Sequence, residues 1–164
     1  MLNRRSILKS GACAGAFLLA GRVLGNSAAF AAGLDHLTLS DAEWHQRLTP
    51  DQYAVLRQAA TERPFTSPLL TEERSGRFTC AGCDLALFSS KTKFDSGTGW
   101  SSFWAPLDNA VTNKQDASFG MDRTEVVCER CEGHLGHVFD DGPKPTGLRY
   151  CMNGVALKFV AEAA

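Results

Sequence analysis

No stretch of the 164-residue sequence stays apolar long enough to cross a bilayer, which takes about 20 residues. There is no glycine-every-third repeat, no sustained heptad and no low-complexity tract, which excludes collagen-like, coiled-coil and polytopic membrane folds. Nor is there an excess of basic charge, since 17 Lys and Arg stand against 18 Asp and Glu. The balance is uneven along the chain. Every acid lies beyond residue 31, whereas Arg4, Arg5, Lys9 and Arg22 lie before it, so the body of the chain is acidic. An acidic body repels phosphate, and no nucleic-acid partner is expected. With 44% hydrophobic and 21% charged residues, the composition is that of one globular domain.

The first 31 residues have the three parts of an export signal. Asn3 to Lys9 is basic, Ser10 to Gly21 is modestly apolar, and Ala29-Phe30-Ala31 is a small-x-small cleavage site. Arg4-Arg5 followed by Ile7-Leu8-Lys9 resembles a twin-arginine signal, the route for proteins exported already folded. The alternative is an ordinary secretory signal that contains two adjacent arginines. Cys13 precedes most of the apolar run and is expected to leave with the signal. The expected division is a signal over 1–31 and a mature domain over 32–164, periplasmic or otherwise exported, touching membrane only through the signal.

Five cysteines remain. Cys80-Ala81-Gly82-Cys83 and Cys128-Glu129-Arg130-Cys131 are two Cys-x-x-Cys pairs of matched spacing. Each pair presents two thiolates from one tight turn, where Gly82 is expected to help the backbone bend, and two such knuckles make a closed four-sulfur zinc site. A closed site has no open coordination position, so one structural zinc per chain is expected. The competing reading is disulfides or a redox dithiol, which an exported protein tolerates. Loading zinc in the reducing cytosol before folded-state export favours the metal.

Cys151 is left over. A lone cysteine is often a small buried hydrophobe, but Arg149-Tyr150-Cys151-Met152-Asn153 reads as an extended segment. There Arg149 and Asn153 share a face with the sulfur. A fixed cation lowers a thiol pKa from near 8.5, so this face suits a nucleophile. His134 and His137 follow the second knuckle in His134-Leu135-Gly136-His137-Val138-Phe139 and add proton chemistry; four sulfurs already fill the metal shell, which leaves the imidazoles free. His36 and His45 read as surface or satisfied core residues. Asp140-Asp141-Gly142-Pro143 forms a turn that brings a carboxylate back toward Arg149.

Around these motifs, Ser40-Asp41-Ala42-Glu43 is a capping box opening a helix through about Leu48. Thr49-Pro50-Asp51-Gln52 opens a second helix, with Tyr53, Leu56 and Ala60 on one stripe, and Pro64 and Pro68 are expected to end the helical region. From Arg77 onward, short β-prone runs alternate with turns: 77–79, 85–89, 111–113, 124–127, 138–139, 149–152 and 156–160. Lys91 to Phe103 reads as a long Gly/Ser-rich connection whose Trp100, beside Gly97 and Gly99, is either core or the wall of an apolar pocket. The expected class is mainly β after N-terminal helices.

Taken together, these segments resemble the methionine sulfoxide reductase B family. The resemblance is carried by Leu48 to Tyr53, Glu62-Arg63-Pro64-Phe65, Leu87-Phe88-Ser89-Ser90, Lys93 to Gly97, Gly99-Trp100 and Arg123-Thr124-Glu125-Val126. It continues through His134 to Phe139, Asp141-Gly142-Pro143 and Arg149-Tyr150-Cys151-x-Asn153, and spans residues 40 to 160. It implies two antiparallel β-sheets of the β-tent type with short N-terminal helices, and zinc on Cys80, Cys83, Cys128 and Cys131. It also implies a chemistry. Cys151 attacks the sulfur of methionine (R)-sulfoxide in an oxidised protein or peptide and becomes a sulfenic acid. His137, with His134, supplies the proton; Arg149 and Asn153 favour the thiolate; Asp141 orients Arg149; and Trp100 and Phe139 bind the substrate. The implied role is repair of exported proteins under oxidative stress, by a monomer.

Three departures stand out. Thr98 stands between the glycines of Ser96-Gly97-Thr98-Gly99-Trp100, where many relatives carry a resolving cysteine. Recycling is therefore expected from a small thiol or a thioredoxin-like donor. Ser101 replaces the usual proline and Asp84 the glycine after the first knuckle, both local adjustments. Three rival classes remain: a zinc-ribbon binding module, a zinc hydrolase with an open metal site, and an oxidoreductase using Cys-x-x-Cys itself. Structural zinc contributes roughly 10–16 kcal/mol of apparent free energy, as much as a domain's stability. Chelation is expected to lower the thermal midpoint sharply; melting unchanged by chelation would exclude the structural ion.

Overall fold

The computed structural model describes residues 35–163; the expected export signal and Cys13 lie outside the described residues. Helix α1 (Asp41–Arg47) begins at the expected capping box. The Ser40 hydroxyl accepts from the Glu43 N–H, and the Glu43 carboxylate accepts from the Ser40 N–H at 2.8 Å. Helix α2 (Pro50–Gln58) repeats this device with Thr49 and Gln52, with Pro50 in the first turn where no N–H partner is needed. It ends before Pro64, because Ala59 takes a left-handed conformation (φ 54°). Pro68 opens a short 3-10 turn, Pro68–Thr71, instead of stopping a helix. The buried face of α2 is Val55 and Leu56; Tyr53 is only partly buried, and Ala60 lies past the helix end. Among the described residues no helix is long and apolar enough to cross a membrane.

Nine strands follow: β1 (Gly76–Cys80), β2 (Ala86–Ser89), β3 (Lys93–Phe94), β4 (Ser101–Phe103), β5 (Val111–Asp116), β6 (Arg123–Cys128), β7 (His134–Phe139), β8 (Arg149–Met152) and β9 (Leu157–Ala161). They pair antiparallel in two sheets, in the orders β2-β1-β9 and β3-β4-β8-β7-β6-β5. The mainly β class with two antiparallel sheets is as expected. The 91–103 segment is not a bare connection, however. It holds β3 and β4, too short for any alternation to show in sequence, and β4 seats directly on β8. Strand β7 also starts at His134 rather than Val138, which places both histidines on a strand.

The core joins the sheets through aromatic rings. Phe103 of β4 stacks on Phe88 of β2 with centroids 4.4 Å apart and meets Phe78 of β1 edge-on at 4.9 Å. Leu87, Val126, Leu135 and Met152 are buried around them. Strands β7 and β8 approach so closely that Gly136 has no room for a side chain: a Cβ there would lie 2.0 Å from the Cys151 carbonyl oxygen. Gly136→Ala is therefore expected to separate β7 from β8, costing on the order of 3 kcal/mol in urea unfolding and most of any activity that needs Cys151 beside His137. Full stability in this variant would show that the strands do not meet as described.

Candidate active site and four-cysteine cluster

The two Cys-x-x-Cys turns are built alike. Asp84 N–H donates to the Cys80 carbonyl at 2.9 Å and Glu132 N–H to the Cys128 carbonyl at 2.8 Å. The residue after each turn, Asp84 (φ 62°) and Glu132 (φ 55°), takes the left-handed conformation. The bend thus falls on Asp84, not on Gly82, which has no positive φ. That also explains why glycine suits the position Asp84 occupies.

The four sulfurs all lie within 4.8 Å of one another, with Cys83–Cys128 at 3.5 Å and Cys80–Cys131 at 3.7 Å. A tetrahedral ion with metal–sulfur bonds near 2.3 Å needs edges of about 3.8 Å, so the buried cluster fits a metal ion. As bare thiols the four share protons: their mutual hydrogen bonds push Cys80 and Cys128 up and hold Cys83 and Cys131 down. Arg57 and Arg130 donate to the carbonyls of Cys131 and Cys83, at 2.8 and 3.2 Å, and brace the two turns.

Cys151 stands apart, on β8. In register its neighbours are Ser102 on β4 and His137 on β7, and Glu125 on β6 lies opposite His137. These four residues therefore form one row across the sheet face. His134 and His137 are three apart, an odd spacing that puts side chains on opposite faces of a regular strand. A β-bulge between Val126 and Val127 restores them to one side: Val127 pairs with His134, and Leu135 is skipped. The imidazoles then lie 5.4 Å apart, His134 Nδ1 bonding Glu125 at 2.6 Å and His137 Nε2 bonding Asp116 at 2.8 Å. Burial lowers the His134 pKa even though Glu125 works against it.

A cleft of about 160 Å³ opens over the sulfur, lined by Trp100, Arg123, His137, Phe139, Cys151 and Asn153 among others. Arg149 donates to both carboxylate oxygens of Asp141 at 2.8 Å and lies 4.5 Å over the Phe139 ring. Arg149 holds the Asp141 carboxyl below its ordinary value, so the pair persists down through the usual carboxylate range near pH 4. Asn153 faces the cleft, but its amide is committed: Oδ1 accepts from the Glu62 N–H at 3.0 Å and Nδ2 donates to the Leu135 carbonyl at 3.0 Å. Thr98 Oγ1 is 4.0 Å from the Cys151 sulfur, so the position expected to lack a resolving thiol adjoins Cys151. His36 is exposed, and His45 stacks on Tyr53, away from this cleft.

Several residues of the site were quoted in sequence without a role. Glu62 is one: its carbonyl accepts from Trp100 Nε1 at 3.1 Å, and its carboxylate accepts from the N–H groups of Gly154 and Val155 at 2.6 and 2.9 Å. Arg123 and Glu125 are others, and Asp116 carries no signal in the sequence at all; their part emerges only from strand register. A larger cleft of about 720 Å³ beside α2 includes Glu62 but no cysteine or histidine.

A thiol facing an imidazole in a small cleft suits thiol chemistry, and it sits on a frame that carries four clustered sulfurs. Comparison with known proteins narrows this. The SelR domain family matches residues 48–161. The chain is similar to the peptide methionine sulfoxide reductase MsrB of Leptospira interrogans, with 54% identity over 75% of this chain and 95% of that protein. It is 58% identical to the MsrB of Pseudomonas putida over 71% of this chain and 89% of that one. With the chloroplastic peptide methionine sulfoxide reductase B1 of Arabidopsis thaliana it shares 54% over 76% of this chain and 62% of that protein. The chain belongs to the methionine sulfoxide reductase B family, the SelR-domain oxidoreductases.

Burial pushes the Cys151 thiol up, outweighing the Arg149 guanidinium and the Thr98 hydroxyl that pull it down. The thiolate fraction, and with it alkylation by iodoacetamide, is therefore expected to climb about 10-fold per pH unit between about pH 7 and 8. Arg149→Ala is expected to slow alkylation further at neutral pH. A rate flat across that window would mean a thiol already ionised.

Proposed function

We propose that the protein reduces methionine (R)-sulfoxide, chiefly in oxidised proteins and peptides, through a sulfenic acid on Cys151. The observation that carries this reading is the facing pair of Cys151 and His137 in one cleft, with Trp100 and Phe139 as its apolar walls. The Cys151 sulfur attacks the sulfoxide sulfur while a proton passes to the sulfoxide oxygen, from His137 with His134 beside it. The oxygen transfers to Cys151, methionine departs as the thioether, and the cysteine sulfur is oxidised by two electrons. Arg149, clamped by Asp141, stabilises the thiolate against the cost of burial. Asn153 acts through its bonds to Glu62 and Leu135, which fix the turn behind β8.

Zinc suits the four-cysteine cluster, as soft thiolates in a tetrahedral set favour it, and there it supplies a structural cross-link. Recycling needs two reducing equivalents from outside. An external thiol condenses with the sulfenic acid and releases water, and a second thiol, from a small molecule or a thioredoxin-like donor, frees Cys151. Thr98 beside the sulfur supports this route, since no described cysteine outside the cluster is available to resolve it. The protein is further proposed to act as a monomer, exported by its twin-arginine-like segment, in repair of exported proteins.

One turnover of a peptide bearing separated R and S sulfoxides, without reductant, tests the reading by mass spectrometry. The R form is expected to leave Cys151 carrying one added oxygen with one methionine formed, and Cys151→Ser to form none. Turnover by Cys151→Ser, or an intramolecular Cys151 disulfide, would overturn it.

A further inference from the structure

The β5–β6 hairpin brings to the cleft a set of charges that the mechanism above leaves idle. Asp116 closes β5 and Arg123 opens β6, paired in register. One oxygen of Asp116, Oδ2, accepts from His137 Nε2 at 2.8 Å and from Arg123 Nη2 at 2.7 Å. The other, Oδ1, accepts from the Ser118 N–H at 2.9 Å, and Arg123 also donates to the Ser118 hydroxyl at 3.1 Å. Asp116 is thus held from three sides and has no freedom to leave the imidazole. The bonds from Ser118, then from His137, keep its carboxyl well below the ordinary carboxylate range, so it is ionised at neutral pH.

We propose that Asp116, locked by Arg123 and Ser118, is the positioning residue that fixes the ring of His137 and sustains its charged form for proton delivery. The inference rests on the reading of His137 as proton donor. A carboxylate accepting from Nε2 fixes the tautomer and leaves Nδ1 as the nitrogen whose proton is exchanged with the substrate. The other groups facing His137 do not replace Asp116. Glu125 on β6 is bonded to His134, His134 on the same strand is a competing base, Cys151 on β8 is the nucleophile, and Arg123 repels a second positive charge. Arg149 is engaged with Asp141 beyond Phe139. Asp116 is the carboxylate bonded to the ring of His137.

Single-turnover formation of methionine from an R-sulfoxide peptide, followed from about pH 5 to 9 with the metal-loaded protein, tests this. Relative to the parent at each pH, Asp116→Asn is expected to lose about 10-fold near pH 8 and little near pH 5.5, since the dependence on thiolate is common to both proteins and cancels in the ratio. Asp116→Glu is expected to recover part of the loss near pH 8, while Cys151 alkylation stays at the parental rate. A loss equal at every pH would make Asp116 merely structural and overturn the inference. If His137→Asn loses activity but Asp116→Asn shows no pH-dependent loss, the inference alone falls. If His137→Asn keeps the parental rate and profile, the proton-donor reading falls and takes the inference with it. Nitrogen NMR of the parent gives a check that needs no variant: neutral His137 is expected to carry its proton on Nε2, and a proton on Nδ1 would overturn the proposal.

Discussion

The two sheets meet at one place through four clustered sulfurs, and the position of the candidate site follows from that. Cys80 and Cys83 form the turn between β1 and β2 of the small sheet, while Cys128 and Cys131 form the turn between β6 and β7 of the large one. A hairpin end from each sheet is therefore brought against the other. The strand that leaves the second turn is β7, which begins at His134 and carries His137 to its station opposite Cys151. Aromatic packing of Phe103 against Phe78 and Phe88 fills the space between the sheets, but a hydrophobic core alone is non-directional. A metal ion held by the four sulfurs would supply the direction, fixing the base of β7 and with it the reach of both imidazoles.

Local sequence signals translated directly into structure wherever one short segment contains the whole device. The two capping boxes, the paired cysteine turns and the β8 segment are of that kind, and each forms where its residues place it. Signals that depend on what lies across a strand did not. Strands β3 and β4, two and three residues long, carry no readable period and exist because β8 pairs with them. The end of α2 was misplaced because proline is a conspicuous stop and an alanine in left-handed conformation is not. Gly82 drew attention to the first cysteine turn, although the strained position is that of Asp84.

The site itself divides along the same line. Of the residues singled out from sequence, Cys151, His137, Trp100, Phe139 and Asn153 line one cleft, His134 lies against His137, and Arg149, paired with Asp141, lies over the Phe139 ring. The carboxylates behind the imidazoles, Asp116 and Glu125, had no such signal, since an acidic residue on a half-exposed strand looks like a solvated face. The sign of the cysteine shift was also hidden: an arginine two positions away is visible in sequence, whereas the burial that outweighs it is a property of the assembled sheets.

The bulge opposite Leu135 sets a rule of length rather than of chemistry. A regular β-strand offers alternate side chains to a given face, so a single residue gained or lost between the two imidazoles exchanges inside for outside along one end of β7. The skipped residue absorbs that parity, and its own side chain fills the core. In the tetrapeptide from His134 to His137 the odd count and the bulge thus go together: its interior residues tolerate a change of identity only within packing limits, and a residue gained or lost would keep both imidazoles on one side only if the bulge went with it.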